Sequence, residues 1–238
     1  MSHASPLVSV VVPTRGDAAN LARLAEDLAP SLDAEYIVSR TGPPDPAEAA
    51  LGAARPDLQW VDGGPGRGLQ LNAGAAAATG RWLWFVHADS RLPDGWLDVF
   101  RALDRRHPAP VGGSFAFRLD SVAWQARVIE RGVAWRVRWL GLPYGDQGLF
   151  VRRDAFTAMR GFQPWPLMED VEFVRRLTRQ GPVVHLSQQV TTSARRWERD
   201  GWWRRSSANL LTLSAYLLGI RPERLARRYD RGTAVPRG

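Results

Sequence analysis

The chain has 238 residues, 45% of them hydrophobic and 24% charged, with 11 Trp, which is enough to bury one substantial core. It contains no Cys and no Lys, which excludes disulfides, thiol catalysis, Cys-based zinc and iron–sulfur sites, Schiff-base chemistry and a P-loop lysine. The net charge of +8 rests on 32 basic residues that are all Arg, and it suits an anionic partner such as phosphate, nucleic acid or a membrane surface; the alternative is a coding bias toward Arg.

Residues 7–12 (LVSVVV) form a short β-branched run closed by Pro13 and predict a buried parallel strand. Residues 17–28 carry Leu21, Leu24 and Leu28 at helical spacing. A second strand over 35–39 leads into a Pro-rich loop over 41–46, and a third strand covers 58–61. The Ala-rich stretch 67–79 reads as a helix stopped by Gly80, followed by a fourth strand over 81–86 (RWLWFV). Strands alternating with helices indicate βαβ units and a mostly parallel sheet flanked by helices, an α/β class. In such sheets ligands sit beyond the carboxyl ends of the strands, which selects residues 13–15, 39–41, 62–67 and 87–89.

The second half is less regular. Residues 113–119 alternate like a strand, and 122–140 predict a helix with a Trp/Arg face. A strand follows over 145–151, then a helix over 170–178 and short strands over 183–186 and 190–193. A helix spans 201–218 and a further segment 222–229, and residues 232–238 read as a frayed end. The whole reads as one domain: a nucleotide-binding half over 1–90, an acceptor half over 91–200 and C-terminal helices over 201–230. Residues 1–6 lack a secretory signal, and 210–220 is too short an apolar stretch to span a bilayer, so the expected location is cytoplasmic.

Five clusters can carry chemistry. His87-Ala88-Asp89 follows the fourth strand, where a carboxylate suits a divalent cation bridging a diphosphate; alternatively Asp89 caps the helix near Pro93. Glu169-Asp170 opens a helix, where acids complement the helix dipole, or where one serves as general base. Adjacent helical carboxylates diverge by about 100°, so one of the two is expected to face a reaction centre. Gly145-Asp146-Gln147-Gly148 after Tyr144 is a turn whose Asp and Gln can bond sugar hydroxyls. Residues 63–68 (GGPGRG) lead into Gln70 and Asn72 and form an anion-binding helix start, but Leu71 breaks the dinucleotide GxGxxG. Arg195-Arg196-Trp197 can pair with a diphosphate and stack on a sugar, or form a basic surface loop. The four His show no metal-ligand spacing.

With these pieces in order, the chain resembles the GT-A fold family 2 glycosyltransferases, and within them a bacterial subgroup of short "transferase 2" proteins associated with radical-SAM and selenium genes. The resemblance runs from SVVVPT at residues 9–14 to RPERLARRY at 221–229 through GRGLQLNAGA, FVHADSRLP, GLPYGDQGLFVRR, PLMEDVEF and TSARRWER. It implies a nucleotide-sugar donor, an acceptor hydroxyl, a divalent cation (Mn²⁺ or Mg²⁺) and inversion at the anomeric carbon. Under it Asp89 matches the last position of the metal-binding DxD, and Asp170, beside Glu169, the catalytic base. Pro13, Thr14, Arg15, Arg67, Gln70, Asn72, His87, Ala88 and Arg196 fall on the donor side. Tyr144, Gly145, Asp146, Gln147 and Trp197 fall on the acceptor side.

Several positions depart from the family pattern. His87 replaces the first Asp of DxD, Ser39-Arg40-Thr41 replaces the Asp-Gly-Ser that reads the base, and Arg15-Gly16-Asp17 replaces Asn-Glu. Ser193 stands for the Gln of QxxRW. A sugar-phosphate nucleotidyltransferase is the competing enzyme, disfavoured by Pro-Thr-Arg-Gly after the first strand and by the lack of Lys. Another class is a catalytically degenerate membrane-surface protein. Residues 201–220 combine Trp, Arg and an apolar stripe as an interfacial helix does, or they form a C-terminal helix covering the core. Peripheral contact at the inner membrane face suits a lipid acceptor. Scattered basic residues argue against nucleic acid.

Overall fold

The computed structural model describes residues 5–233. In chain order the elements are β1 (Val8–Thr14), α1 (Ala18–Asp27), β2 (Ala34–Arg40), α2 (Pro46–Ala54), β3 (Leu58–Asp62), α3 (Arg67–Ala77), β4 (Trp82–Phe85), β5 (Ser90–Arg91), α4 (Trp96–Asp104) and β6 (Gly112–Leu119). There follow α5 (Trp124–Leu140), a 3₁₀ turn (Gly145–Gln147), β7 (Phe150–Arg152), α6 (Arg153–Ala158), α7 (Glu169–Leu177), β8 (Val183–Thr192), α8 (Arg195–Asp200), α9 (Trp202–Leu217) and α10 (Pro222–Thr233).

The strands form one sheet in the order β3-β2-β1-β4-β7-β6-β8-β5. β1 is parallel to both β2 and β4, and β2 to β3, so the first half is the expected parallel unit. β7 enters antiparallel between β4 and β6, and β8 runs parallel to β6. The period-2 alternation of the strands divides the core in two. Val8, Val10 and Val12 of β1 and Trp82 and Trp84 of β4 pack with Leu21, Leu24 and Phe100 on one face. Val11, Leu83 and Phe85 pack with Leu71, Phe162 and Phe173 on the other. Trp84 stacks on Phe115 at 4.9 Å, and its indole N–H donates to the Gly148 carbonyl at 3.1 Å. That bond pins the 3₁₀ turn to the centre of the sheet.

Several elements differ from the sequence expectation. The loop over 41–46 ends in a helix, α2, because Asp45 accepts the Glu48 N–H at 2.8 Å and Pro46 stands at its first position. Residues 145–151 are not one strand: Gly148 takes φ 56, a left-handed conformation that ends the turn before β7 begins. The strands over 183–186 and 190–193 are one strand, β8, whose pairing with β6 is irregular between Ser114 and Ala116. β5, α6 and α8 had no counterpart in the reading of the sequence. Within the predicted terminal stretch 232–238, Gly232 and Thr233 belong to α10. Residues 234–238, and 1–4 of the segment read for a signal, lie outside the described residues. No helix among the described residues is long and apolar enough to cross a membrane.

Candidate active site

The carboxyl end of β4 carries the chain into a tight turn in which the Ser90 N–H reaches the His87 carbonyl at 3.1 Å. β5 then pairs Ser90 with Thr192 of β8, so the loop bearing His87 and Asp89 is clamped beside the strand end that leads to α8. Gly63 lets the preceding loop close on α3, since a Cβ there would meet Gln70 Cα at 2.8 Å. Arg67 opens α3, and the 3₁₀ turn presents Tyr144 and Asp146. α7 starts after Met168, a non-glycine residue held at φ 64.

These segments enclose one cavity of about 180 Å³, lined by Arg67, His87, Asp89, Tyr144, Asp146, Glu169, Asp170, Arg196 and Trp197 among the expected residues. Both Glu169 and Asp170 line it, which corrects the expectation that one would turn away. In the first turn, reached through the left-handed Met168, the two acids take separate partners. Glu169 Oε1 lies 3.7 Å from Arg67 Nη1. Asp170 Oδ2 accepts the Gly145 N–H at 2.7 Å, and its Oδ1 accepts the Val171 N–H at 2.8 Å. Glycine keeps that contact uncrowded: a Cβ at Gly145 would stand 3.2 Å from His87 Nε2 and 3.4 Å from Asp170 Oδ2.

The remaining expected residues, Pro13, Thr14, Arg15, Gln70, Asn72, Ala88, Gly145 and Gln147, do not line this cavity. Pro13 and Thr14 end β1 and the exposed Arg15 follows it; Gln70 Nε2 donates to the Thr14 carbonyl at 2.6 Å and to the Ser39 carbonyl at 3.3 Å. Thr14 Oγ1 donates to Glu48 at 3.3 Å. Asn72 exchanges two hydrogen bonds with the Phe162 backbone, at 2.9 and 2.8 Å, tying α3 to the segment before α7. Ala88 is buried beneath the turn. Gln147 is buried; its Oε1 accepts from the Tyr144 N–H at 3.1 Å and from Arg136 at 3.2 Å, and its Nε2 donates to the Phe115 carbonyl at 3.3 Å. The Arg136 guanidinium lies 3.5 Å above the Tyr144 ring.

Leu167, Met168 and Ser193 also line the cavity, and sequence reasoning missed Thr192, Arg205, Asn209 and Thr212. The last three recur at i, i+4 and i+7 on α9, so a polar stripe in a Trp/Leu-rich helix was the available signal. Arg205 is paired with Asp200 at 3.4 Å.

The cavity is rich in mutually opposed charges. Burial works against the Arg67 cation, but Glu169, Asp170, Asp146 and Asp89 outweigh it and hold its pKa above the usual value. Burial, then Arg67 and Arg196, hold His87 well below the usual histidine range, so it is neutral at pH 7. Burial pushes Asp146 up to about 6; Asp170 and Asp89 add to this, while Arg136 and Arg67 oppose it. Glu169 is raised by burial and by the Asp170 charge, with Arg67 opposing.

Among the described residues no group of three or more His, Asp or Glu side chains is arranged to hold a metal ion. The donor set of Asp89 with a neutral His87 two residues earlier therefore fits only a cation that draws most of its ligands from bound phosphate oxygens and water. It does not form an all-protein cage.

Residues 9–162 match the family described as Glycosyl transferase family 2, a match that ends before α7. No curated protein sequence matches the chain. Among solved structures, TarS of S. aureus superposes with a TM-score of 0.61 at 16% identity, over 86% of this chain and 40% of that one. The chain thus spans less than half the length of TarS. TarS 1-349 in complex with UDP-GlcNAc gives 0.62 at 16% identity, over 79% of this chain and 58% of that one. A mannosyltransferase from Pyrobaculum calidifontis in complex with GDP-Man and Mn²⁺ gives 0.65 at 18% identity, over 92% of this chain and 67% of that one. These likenesses establish a GT-A-type fold across the sheet and its helices. With the family match covering well over half its length, the chain belongs to glycosyl transferase family 2.

Proposed function

We propose that the chain transfers a sugar from a nucleotide-sugar donor to an acceptor hydroxyl, with inversion at the anomeric carbon. The observation that carries this reading is the convergence of Arg67, His87, Asp89, Asp146, Asp170 and Arg196, from separate segments, on one cavity at the end of β4. The donor diphosphate lies between Arg67 at the start of α3 and Arg196 on α8, with the nucleoside toward Pro13, Thr14 and Arg15 at the end of β1. Asp89, with His87 beside it, would hold a divalent cation, Mg²⁺ or Mn²⁺, which when bound would supply charge neutralisation for the leaving group. The acceptor sits toward Tyr144, Asp146 and Trp197.

Asp170 takes the proton of the acceptor hydroxyl as that oxygen attacks the anomeric carbon. The bond from that carbon to the diphosphate oxygen breaks, and its electron pair leaves with the nucleoside diphosphate. A single displacement of this kind inverts the carbon. The two backbone N–H groups that bond Asp170 fix the direction of its carboxylate, and Glu169 keeps Arg67 aimed into the cavity. Within the family we place the chain in the short radical-SAM-associated subgroup, on the motifs at residues 141–153, 166–173 and 192–199.

The test is thermal unfolding against a panel of nucleoside diphosphates, UDP and GDP first, with Mn²⁺ or with chelator. A ligand at about 100 times its dissociation constant adds about 2.7 kcal/mol, a shift of several degrees for a chain of this size. One nucleotide is expected to raise the midpoint, and to do so more strongly with Mn²⁺. A flat response across the panel would overturn the reading.

A further inference from the structure

Two long helices turn apolar side chains to solvent. On α5, Trp124, Val128, Trp135 and Trp139 fall within one stripe about 60° wide at the α-helical period, and each of the three Trp is more than 60% exposed. On α9 and its last turn, Trp203, Leu210, Leu211, Leu217 and Leu218 form a second stripe, with Leu218 85% exposed. The two adjoin. The Trp124 and Trp203 rings are 5.8 Å apart, and Leu142, just past α5, shares an apolar cluster with Leu213 of α9. Only Arg205 and Leu213 of α9 are buried, so covering the core accounts for little of that helix.

The flank of this face is mostly basic. A groove of about 800 Å³ along α5 is lined by Arg118, Arg127, Arg131 and Arg138 and by one carboxylate, Glu130, which pairs with Arg118 at 3.3 Å and with Arg127 at 2.8 Å. The α9 sequence contains no acid. The opposite side of α9 supplies Arg205, Asn209 and Thr212 to the catalytic cavity. An exposed apolar face rich in Trp and bordered by Arg is complementary to the headgroup region of an anionic bilayer. There the indole spans the apolar and wet zones, and guanidinium groups meet phosphate. A second copy fits less well, because a two-fold interface sets this face against itself and brings Arg toward Arg.

We propose that the α5–α9 face docks on an anionic lipid surface and sets the catalytic cavity beside the bilayer, one helix thickness away. The contact is peripheral. Leu210, Leu211, Leu217 and Leu218 enter the acyl boundary, the four Trp lie at headgroup level, and Arg131 and Arg138 pair with lipid phosphates.

The experiment is co-sedimentation of the full chain with vesicles of phosphatidylcholine alone and of phosphatidylcholine mixed with phosphatidylglycerol. The wild type is expected to pellet with the mixed vesicles and much less with the neutral ones. The double variant Trp135→Ser/Trp139→Ser is expected to stay in the supernatant. Arg131→Gln and Arg138→Gln are each expected to lower the partition constant about fivefold. The nucleotide-induced thermal shift is read on every variant. An unchanged shift shows an intact fold and donor site, so loss of docking and loss of the transferase reading are separately visible. Absence of wild-type pelleting, or equal pelleting of wild type and double variant, would overturn the proposal. So would a wild-type dimer that the double variant abolishes, since a second copy would then cover the face.

Discussion

Neighbouring residues in the cavity do different work because their partners differ. Asp170 is fixed by two backbone N–H groups, whereas Glu169 faces the Arg67 guanidinium. Asp170→Asn keeps an oxygen for the Gly145 N–H but cannot take a proton. It is expected to lower kcat by about 100- to 10,000-fold while the nucleotide-induced thermal shift is retained. Steady-state kinetics beside thermal unfolding checks both halves; loss of donor binding in a folded variant would remove Asp170 from the base role. Asp146 gives a stability signature. Its pKa of about 6 in the folded chain exceeds the ordinary 3.8, so its contribution is fully present below pH 3.8 and is lost as pH rises through about 6. The loss is on the order of 3 kcal/mol for the full shift. Asp146→Asn is therefore expected to unfold at a higher temperature than the wild type at pH 8, an advantage that shrinks toward pH 4.

The start of α7 shows how an element's end differs from its middle. The expected divergence of Glu169 and Asp170 holds for side chains radiating from a continuous helix. Here both acids stand in the first turn of α7 and the cavity lies against that end of the helix, so both line it. The 145–151 segment carries alternation compatible with a strand, but Gly148 adopts a left-handed conformation and Trp84 holds its carbonyl, so a turn forms instead. In α2 the signal was legible and went unread: Asp45, Pro46 and Glu48 make a helix start in which Asp45 bonds the Glu48 N–H. Asp45→Ala is expected to cost about 1 kcal/mol in denaturant unfolding and to leave the nucleotide-induced shift unchanged. The middle of β8, Ser187 to Gln189, is polar and separates two apolar pieces in the sequence; the register with β6 shifts there, from Ser114 opposite His185 to Ala116 opposite Gln189, and the strand continues past the irregularity.

At the scale of the whole molecule, the parallel pairing of β1 to β4 followed from strand-helix alternation, because buried strands are written as continuous apolar runs, while their order across the sheet, β3-β2-β1-β4, came from the structure. The strand-end rule led from there to residues 13–15, 39–41, 62–67 and 87–89, of which Arg67, His87 and Asp89 line the cavity. The long-range contacts were not legible. Asn72 meets Phe162 across 90 residues, Gln70 meets Thr14 across 56, and the polar stripe of α9 lines the cavity from the far end of the chain. The sequence by itself determined the α/β class, the succession of the first four strands along the chain and the chemical types at the strand ends, since these depend on periodicity and on near neighbours. Only the tertiary structure decided that Glu169 and Asp170 share one cavity with Arg67, that Gln147 is a buried brace beneath it, and that α5 and α9 leave their Trp and Leu facing outward. Such contacts depend on how distant segments close on one another, and the local pattern does not encode that closure.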